Sequence, residues 1–147
     1  MPLTVGVMKR EDTALAAVLT FMSRRPPFET MRLGEVFGTV AAAIRRGHYG
    51  VAAEDGRIRG VLLWALTDAA TARRWAGGGV APSFEEASAG DTLVVLLGAA
   101  DDPRVPGRGF REMARRHPGL LYVMKRHGRP GLKRGRLPGR PVTSTAV

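Results

Sequence analysis

Apolar residues recur at helical spacing in two stretches near the start of the chain. The first stretch predicts a helix with an apolar face formed by Leu15, Val18, Leu19 and Met22. Asp12 or Thr13 can cap its start, and Pro26 and Pro27 follow its end. The second is the clearest amphipathic pattern of the sequence, and Gly47 ends it. We expect its apolar positions to be core residues: Leu33, Val36, Phe37, Val40, Ala41 and Ile44.

Strand patterns fill the middle of the sequence. Residues 49–53 and 58–66 predict a hairpin around the Glu-Asp-Gly-Arg turn at 54–57. Asp68 can cap a short helix over 69–76, which a run of three glycines ends. The unbroken apolar run over 92–97 indicates a central strand with both faces covered.

The remaining pattern predicts a loop over 98–108, a helix over 109–117 and a strand over 120–124. Together the elements predict a single α/β domain over residues 1–125, with a mixed, mostly antiparallel sheet flanked by helices. Residues 126–147 are rich in Gly, Pro and Arg and hold too few apolar residues for a core. We expect this basic tail to be only partly ordered.

Charge divides the chain more sharply than hydropathy does. Residues 1–102 hold 11 Lys/Arg and 12 Asp/Glu, whereas residues 103–147 hold 12 Lys/Arg and one Glu. The basic part predicts either a polyanionic partner (nucleic acid, an acidic carrier protein or an anionic membrane) or merely a solvated tail. The sequence has no cysteine, which excludes disulfides and thiolate chemistry. It has neither a signal-peptide nor a transmembrane pattern, so we expect a cytoplasmic protein.

A glycine-containing segment follows the central strand. It reads Arg104-Val-Pro-Gly107-Arg108-Gly109 and leads into the predicted helix. Glycines let backbone N–H groups approach a pyrophosphate, and a helix N-terminus adds positive potential. The segment resembles the phosphate-binding loop of the GNAT acyltransferases, so Arg104, Gly107, Arg108 and Gly109 are candidate ligands of an acyl-donor phosphate. The alternative is a turn that only reverses the chain.

A wider resemblance covers residues 15–121. Five segments occur in the order found in the toxin-activating lysine acyltransferases. They are Pro26-Pro27-Phe28, the gap-free run from there to Tyr49, the strand end Trp64-Ala65, the segment Ser88-Ala89-Gly90-Asp91, and the helix that ends in His117-Pro118. The resemblance implies a GNAT-like fold and transfer of a fatty acyl group from acyl carrier protein or acyl-CoA to a lysine of an RTX-type protein. It also implies an acyl-donor cleft faced by positions 28 and 97.

The catalytic positions of that family are changed in this chain. Phe28 stands at the position of the family's histidine and Leu97 at that of its aspartate, so the catalytic residues are unknown. His48, Glu85 and Glu86 are weak substitutes for the proton acceptor. At the end of a predicted helix we expect His117 to be an imidazolium that favours the helix dipole. Trp64 is predicted either in the core or on the floor of an acyl groove. The three scattered histidines do not have metal-site spacing.

Three functions therefore remain open. The first is a protein-lysine acyltransferase, with acyl carrier protein and an RTX-type protein as partners and no permanently bound cofactor. The second is an inactive relative that binds an acyl donor or a protein partner. The third is a nucleic-acid-binding module that uses the basic C-terminal part, although no nucleic-acid motif is present. A homodimer is possible in each case.

Overall fold

The computed structural model describes residues 2–79, 82–125 and 131–140. Its centre is an open six-stranded sheet in which the strands lie side by side in sequence order. All neighbouring strands are antiparallel except β4 and β5, which are parallel. The strands are β1 (Thr4–Gly6), β2 (Tyr49–Glu54), β3 (Arg57–Thr67), β4 (Thr92–Ala100), β5 (Leu121–Lys125) and β6 (Leu132–Arg136). The prediction of a mixed, mostly antiparallel α/β sheet is confirmed.

Four α-helices cover the two faces of the sheet. They are α1 (Glu11–Ser23), α2 (Leu33–Arg46), α3 (Ala69–Ala76) and α4 (Val105–Arg116); a short 3-10 helix, Phe28–Thr30, lies between α1 and α2. Helices α1 and α2 pack on Val51, Val61 and Leu63 of the sheet. Helix α4 packs on the opposite face, and it also supplies the crossover that parallel strands β4 and β5 require.

Local sequence signals specify several of these elements. Gly47 ends α2 in the left-handed conformation, with a φ of 75°. The hairpin turn has positive φ at Asp55 and Gly56, as a tight turn between twisted strands requires. The Asp68 side chain caps α3 by accepting a hydrogen bond from the Thr71 backbone N–H at 2.7 Å. These predictions are confirmed.

The ends of two helices differ from the prediction. Helix α1 begins at Glu11, so the N-cap residue is Arg10, which makes no side-chain cap, and Asp12 lies in the first turn, where its carboxylate pairs with the Arg10 guanidinium at 2.6 Å. Helix α4 begins at Val105, so Gly107, Arg108 and Gly109 lie in its first turns and not in a loop before it. Close contact explains the glycine at 109, since a Cβ there would lie 3.0 Å from Leu62 Cδ2.

The predicted core face of α2 is too wide. Val36, Val40 and Ile44 are buried, but Leu33 is 72% exposed and Phe37 is 45% exposed. Leu33 is the first residue of the helix, and Phe37 lies about 100° around the helix axis from Val36. The apolar stripe therefore extends beyond the surface that α1 and the sheet cover.

The sheet continues beyond the predicted end of the last strand. Strand β6 pairs with the whole of β5, from Leu121 opposite Arg136 to Lys125 opposite Leu132. The Leu137 side chain, which follows β6, is buried against α4 and the sheet. No strand was predicted here because Lys, Arg and Gly dominate the segment. Residues 126–130 and 141–147 of the predicted tail lie outside the described residues.

None of the helices in the described ranges is long and apolar enough to cross a membrane.

Candidate functional site

The parallel strands β4 and β5 separate part of the way along the sheet. Their pairing runs from Thr92 opposite Leu121 to Val95 opposite Met124, whereas β4 continues to Ala100. Beyond Val95, β4 therefore has no strand partner on its β5 side among the described residues. No described strand therefore pairs with the backbone N–H and C=O groups on that side, and such groups form hydrogen bonds with a ligand that brings its own amides.

A β-bulge marks the point of separation. Leu63 pairs with Leu97 and Trp64 pairs with Val95, which leaves Leu96 as the extra residue of β4. An extra residue shifts the alternation of side chains between the two faces. Leu93 and Val95 consequently pack toward α4, whereas Leu97 packs with the α1–α2 core. The bulge thus turns Leu97 toward the connection between α1 and α2.

A cleft of about 660 Å³ opens where the strands separate. One wall is the α1–α2 connection, with Pro26, Pro27, Phe28 and Met31. The floor is β4 from Val95 to Ala100, and Trp75, Met124 and Lys125 complete the lining together with Leu62. Phe28 and Leu97 are both half-buried and both line this cleft. We call it the β4–β5 cleft.

The lining of the β4–β5 cleft is almost entirely apolar. Among the described residues that line the cleft, Lys125 is the only titratable one. Its Nζ lies 4.3 Å from the centre of the Trp75 ring. This contact is a cation–π interaction, which orients the ammonium group across the indole. The cleft can hold an apolar chain and pair with backbone-like amides, but the described part of its lining contains no histidine or carboxylate to act as a general base.

Sequence reasoning missed Trp75 and Lys125 as cleft residues. Trp75 lies three residues after Ala72, so it falls on the buried face of α3. That spacing predicts burial but not which cavity the ring borders. Trp64, by contrast, is fully buried and does not line the cleft, so of the two predicted alternatives the core position is correct.

Arg104 is held in a chain of ion pairs at the start of α4. Its guanidinium contacts the Asp102 carboxylate at 2.8 Å and the Glu54 carboxylate at 2.6 Å. The hydrogen bonds from Arg104 lower the pKa of Asp102 to about 2, and the two carboxylates raise the pKa of Arg104. The series of ion pairs continues from Asp102 through Arg59 and Asp101 to Arg25.

The Asp102 carboxylate also accepts a hydrogen bond from the Arg104 backbone N–H at 2.8 Å. It therefore occupies the position at the α4 N-terminus where helices favour an anion. Arg108 is exposed, and its Nη1 lies 3.5 Å from the Leu3 carbonyl oxygen, while Gly107 is exposed with open space around it. A donor phosphate at this position would have to displace Asp102, and phosphate binding here stays a prediction.

His48 and His117 meet around Trp64 and not in the β4–β5 cleft. The Trp64 Nε1–H donates to His117 Nε2 at 3.1 Å, and the Arg46 Nε–H donates to His48 Nδ1 at 3.3 Å. Burial, followed by the nearby charge of Arg46, lowers the pKa of His48 to about 4. Burial and Arg116 also lower the pKa of His117.

The prediction of an imidazolium at position 117 is therefore wrong, because an imidazolium has no lone pair to accept the indole N–H. His48 is neutral at pH 7, but its Nδ1 lone pair is already engaged by Arg46. The contacts of the two imidazoles with Trp64 thus link the start of β2 and the end of α4 to strand β3.

Glu85 and Glu86 lie in the exposed turn that follows α3. Glu86 pairs with Arg74 at 2.7 Å and accepts a hydrogen bond from the Ser83 backbone N–H, and these contacts lower its pKa. Neither carboxylate lines the β4–β5 cleft. Nor do the His, Asp and Glu side chains of the described ranges form a group that could hold a metal ion.

No protein-family model matches the sequence, and no curated protein gives a significant match.

Proposed function

We propose that this chain is a GNAT-like relative of the toxin-activating lysine acyltransferases and that it binds an acyl donor in the β4–β5 cleft. The donor is acyl carrier protein or acyl-CoA, and the acceptor is a lysine of an RTX-type protein. One observation carries the proposal. Phe28 and Leu97, which occupy the two catalytic positions implied by the resemblance, come from distant parts of the chain and line the same cleft.

The cleft suits the part of the donor that acyl carrier protein and acyl-CoA share. Both carry their acyl group on a phosphopantetheine arm, an extended chain with amide groups that ends in a thioester. The open backbone of β4 beyond Val95 can pair with such amides as it would with another strand. The apolar walls around Phe28 and Leu97 suit the acyl chain next to the thioester.

Transfer from such a donor requires a free amine. A lysine with an ordinary pKa of about 10.4 must lose a proton before its nitrogen attacks the thioester carbonyl carbon. The C–N bond then forms, the C–S bond breaks and the thiol leaves with a proton. Phe28 and Leu97 can take no part in these proton transfers. Without general-base assistance we expect transfer to be about 10²- to 10⁴-fold slower than in an enzyme that has it.

The apolar lining also favours a second candidate function, in which the protein binds the donor and does not transfer the acyl group. His48, Glu85 and Glu86 are the substitutes for the base that the sequence offers, and none of them lines the cleft. A protein of this kind would sequester acyl carrier protein or present it to a partner.

The experiment combines donor binding with acyl transfer. The protein is titrated with acyl-loaded and acyl-free carrier protein, and transfer to the lysines of an RTX-type substrate is followed by mass spectrometry. We expect tighter binding of the loaded carrier and little transfer. The double variant Phe28→His/Leu97→Asp should increase transfer, whereas the matched Phe28→His/Leu97→Asn should increase it less.

The outcomes separate the two candidates. Substantial transfer by the unaltered chain would reject the second candidate, and donor binding without transfer in any variant would reject the first. If the chain bound loaded and unloaded carrier equally and Leu97→Arg changed neither affinity, the cleft would not be a donor site and both candidates would fail.

A further inference from the structure

A second concave surface lies between α3 and the strands at the far edge of the sheet. It has a volume of about 400 Å³, and we call it the α3 groove. Its lining includes Ala72 and Ala76 of α3, Leu121 and Val123 of β5, and two arginines, Arg73 and Arg134. This volume falls in the range of small-molecule sites.

The groove exists because α3 is short and presents small side chains to the sheet. Ala72 and Ala76 are one turn apart and face β5, so the helix fills little of the space above it. Leu121 is consequently 47% exposed, although it lies on a strand of the sheet. The groove thus has an apolar floor that no described element covers.

The two arginines add positive charge to this apolar surface. Arg134 lies opposite Val123 in the β5–β6 register, so both side chains are on the groove face of the sheet. Arg73 and Arg134 are exposed, and among the residues that the structure describes neither guanidinium makes a hydrogen bond or a close ion pair, although the charge of Arg73 helps to lower the pKa of the Asp68 carboxyl. The adjacent Arg74, by contrast, is ion-paired with Glu86 at 2.7 Å. A guanidinium with free donors can bind a carboxylate through two parallel hydrogen bonds.

The α3 groove is separate from the β4–β5 cleft. Lys125 and Trp75 line the cleft, whereas Val123 and Ala72, their neighbours on β5 and α3, line the groove. The contact of Lys125 Nζ with the Trp75 ring lies between the two cavities. A ligand of the groove therefore does not occupy the donor cleft.

We propose that the α3 groove binds a medium-chain fatty acid, with its hydrocarbon chain on the floor formed by Ala72, Ala76, Leu121 and Val123 and its carboxylate on Arg73 and Arg134. An apolar floor with unpartnered guanidinium groups complements a molecule that joins a hydrocarbon chain to one negative charge. This site is independent of the proposed function, because it uses none of the residues that carry that proposal.

Isothermal titration calorimetry with octanoate, decanoate and dodecanoate, all below their micelle concentrations, tests the site. We expect one molecule per chain and an affinity that rises about fourfold for each added CH₂ that the groove buries. Dodecyltrimethylammonium, which has the same tail and the opposite charge, should bind at least tenfold more weakly than dodecanoate.

Variants locate the site. Arg73→Gln/Arg134→Gln should weaken dodecanoate binding about tenfold or more, because two charge-assisted contacts are lost. Arg111→Gln is the matched control, since Arg111 is also exposed but belongs to α4 on the opposite face of the sheet. Ala76→Phe should fill the groove and weaken binding while leaving the charge unchanged. Circular dichroism checks that each variant is folded.

Three results would overturn the proposal. Equal affinity for octanoate and dodecanoate would leave the apolar floor without a role. Binding unchanged in the folded double glutamine variant would remove the arginines from the site. Equal weakening by Arg111→Gln would reduce the effect to general attraction by a basic protein.

Discussion

The contact between Gly60 and Val105 fixes how closely α4 approaches the sheet. A Cβ added to Gly60 would lie 2.4 Å from Val105 Cγ1 and 3.1 Å from the Ala99 carbonyl oxygen. Val105 is the first residue of α4 and is only 5% exposed, so its side chain has little space into which it can move. We therefore expect Gly60→Ala to lower the free energy of unfolding by about 1–3 kcal/mol, as overpacking does.

A double-mutant cycle tests the cause of this loss. Val105→Ala alone removes two methyl groups and should lower the free energy of unfolding by about 1.6 kcal/mol from lost burial. In the Gly60→Ala/Val105→Ala variant the new methyl group occupies the vacated space. The double variant should then be at least about 1 kcal/mol more stable than additivity predicts.

Urea unfolding with linear extrapolation gives the four free energies. Gly6→Ala is the matched control, because Gly6 is also a strand residue but a Cβ there meets no atom within 4 Å. If Gly60→Ala unfolded no more readily than Gly6→Ala, or if the cycle were additive, the argument that α4 rests on Gly60 would be refuted.

Three further predictions concern the core and the histidines. Phe37→Ala should change the free energy of unfolding, measured by urea unfolding, by less than about 0.5 kcal/mol. Val40 is fully buried, so Val40→Ala should lower the free energy of unfolding by more than about 1 kcal/mol. Equal losses in the two variants would contradict the exposure of Phe37. Leu137→Ala should lower the free energy of unfolding by about 2–5 kcal/mol in the same assay, and a neutral result would mean that the segment after β6 does not belong to the core. Because the folded pKa of His48 is about 4, below the ordinary value of 6.5, the unfolded state binds the proton more readily and stability should fall from pH 6.5 to pH 4. His48→Gln should make melting temperature depend less on pH over this range, and an unchanged pH dependence would contradict the lowered pKa.

Elements with strong local signals were predictable from the sequence. Asp68 and the glycines after Ala76 define α3, and the Asp55–Gly56 turn defines the hairpin, because capping and turn geometry depend on a few adjacent residues. Strand β6 has no such signal. It forms because β5 offers a free edge, a tertiary effect that a window of Lys, Arg and Gly cannot reveal.

The candidate site was predictable only in part. The resemblance pointed to positions 28 and 97, and both line the β4–β5 cleft. The bulge at Leu96 that turns Leu97 toward Phe28 could not be predicted, because 92–97 reads as one uninterrupted apolar run. The ion pairs of Arg104 with Asp102 and Glu54 also depend on tertiary structure, since Glu54 comes from the hairpin.

Strand β6 gives the basic end of the chain a role that requires no polyanion. It forms one margin of the described sheet, and three of its five residues are Lys133, Arg134 and Arg136. A second sheet that approached this margin edge to edge would have to bring its own backbone against a row of cations, which opposes fibril-like stacking. The cations of β6 thus oppose edge-to-edge pairing of two such sheets, and replacing these three cations with threonine should make the folded chain more prone to aggregate.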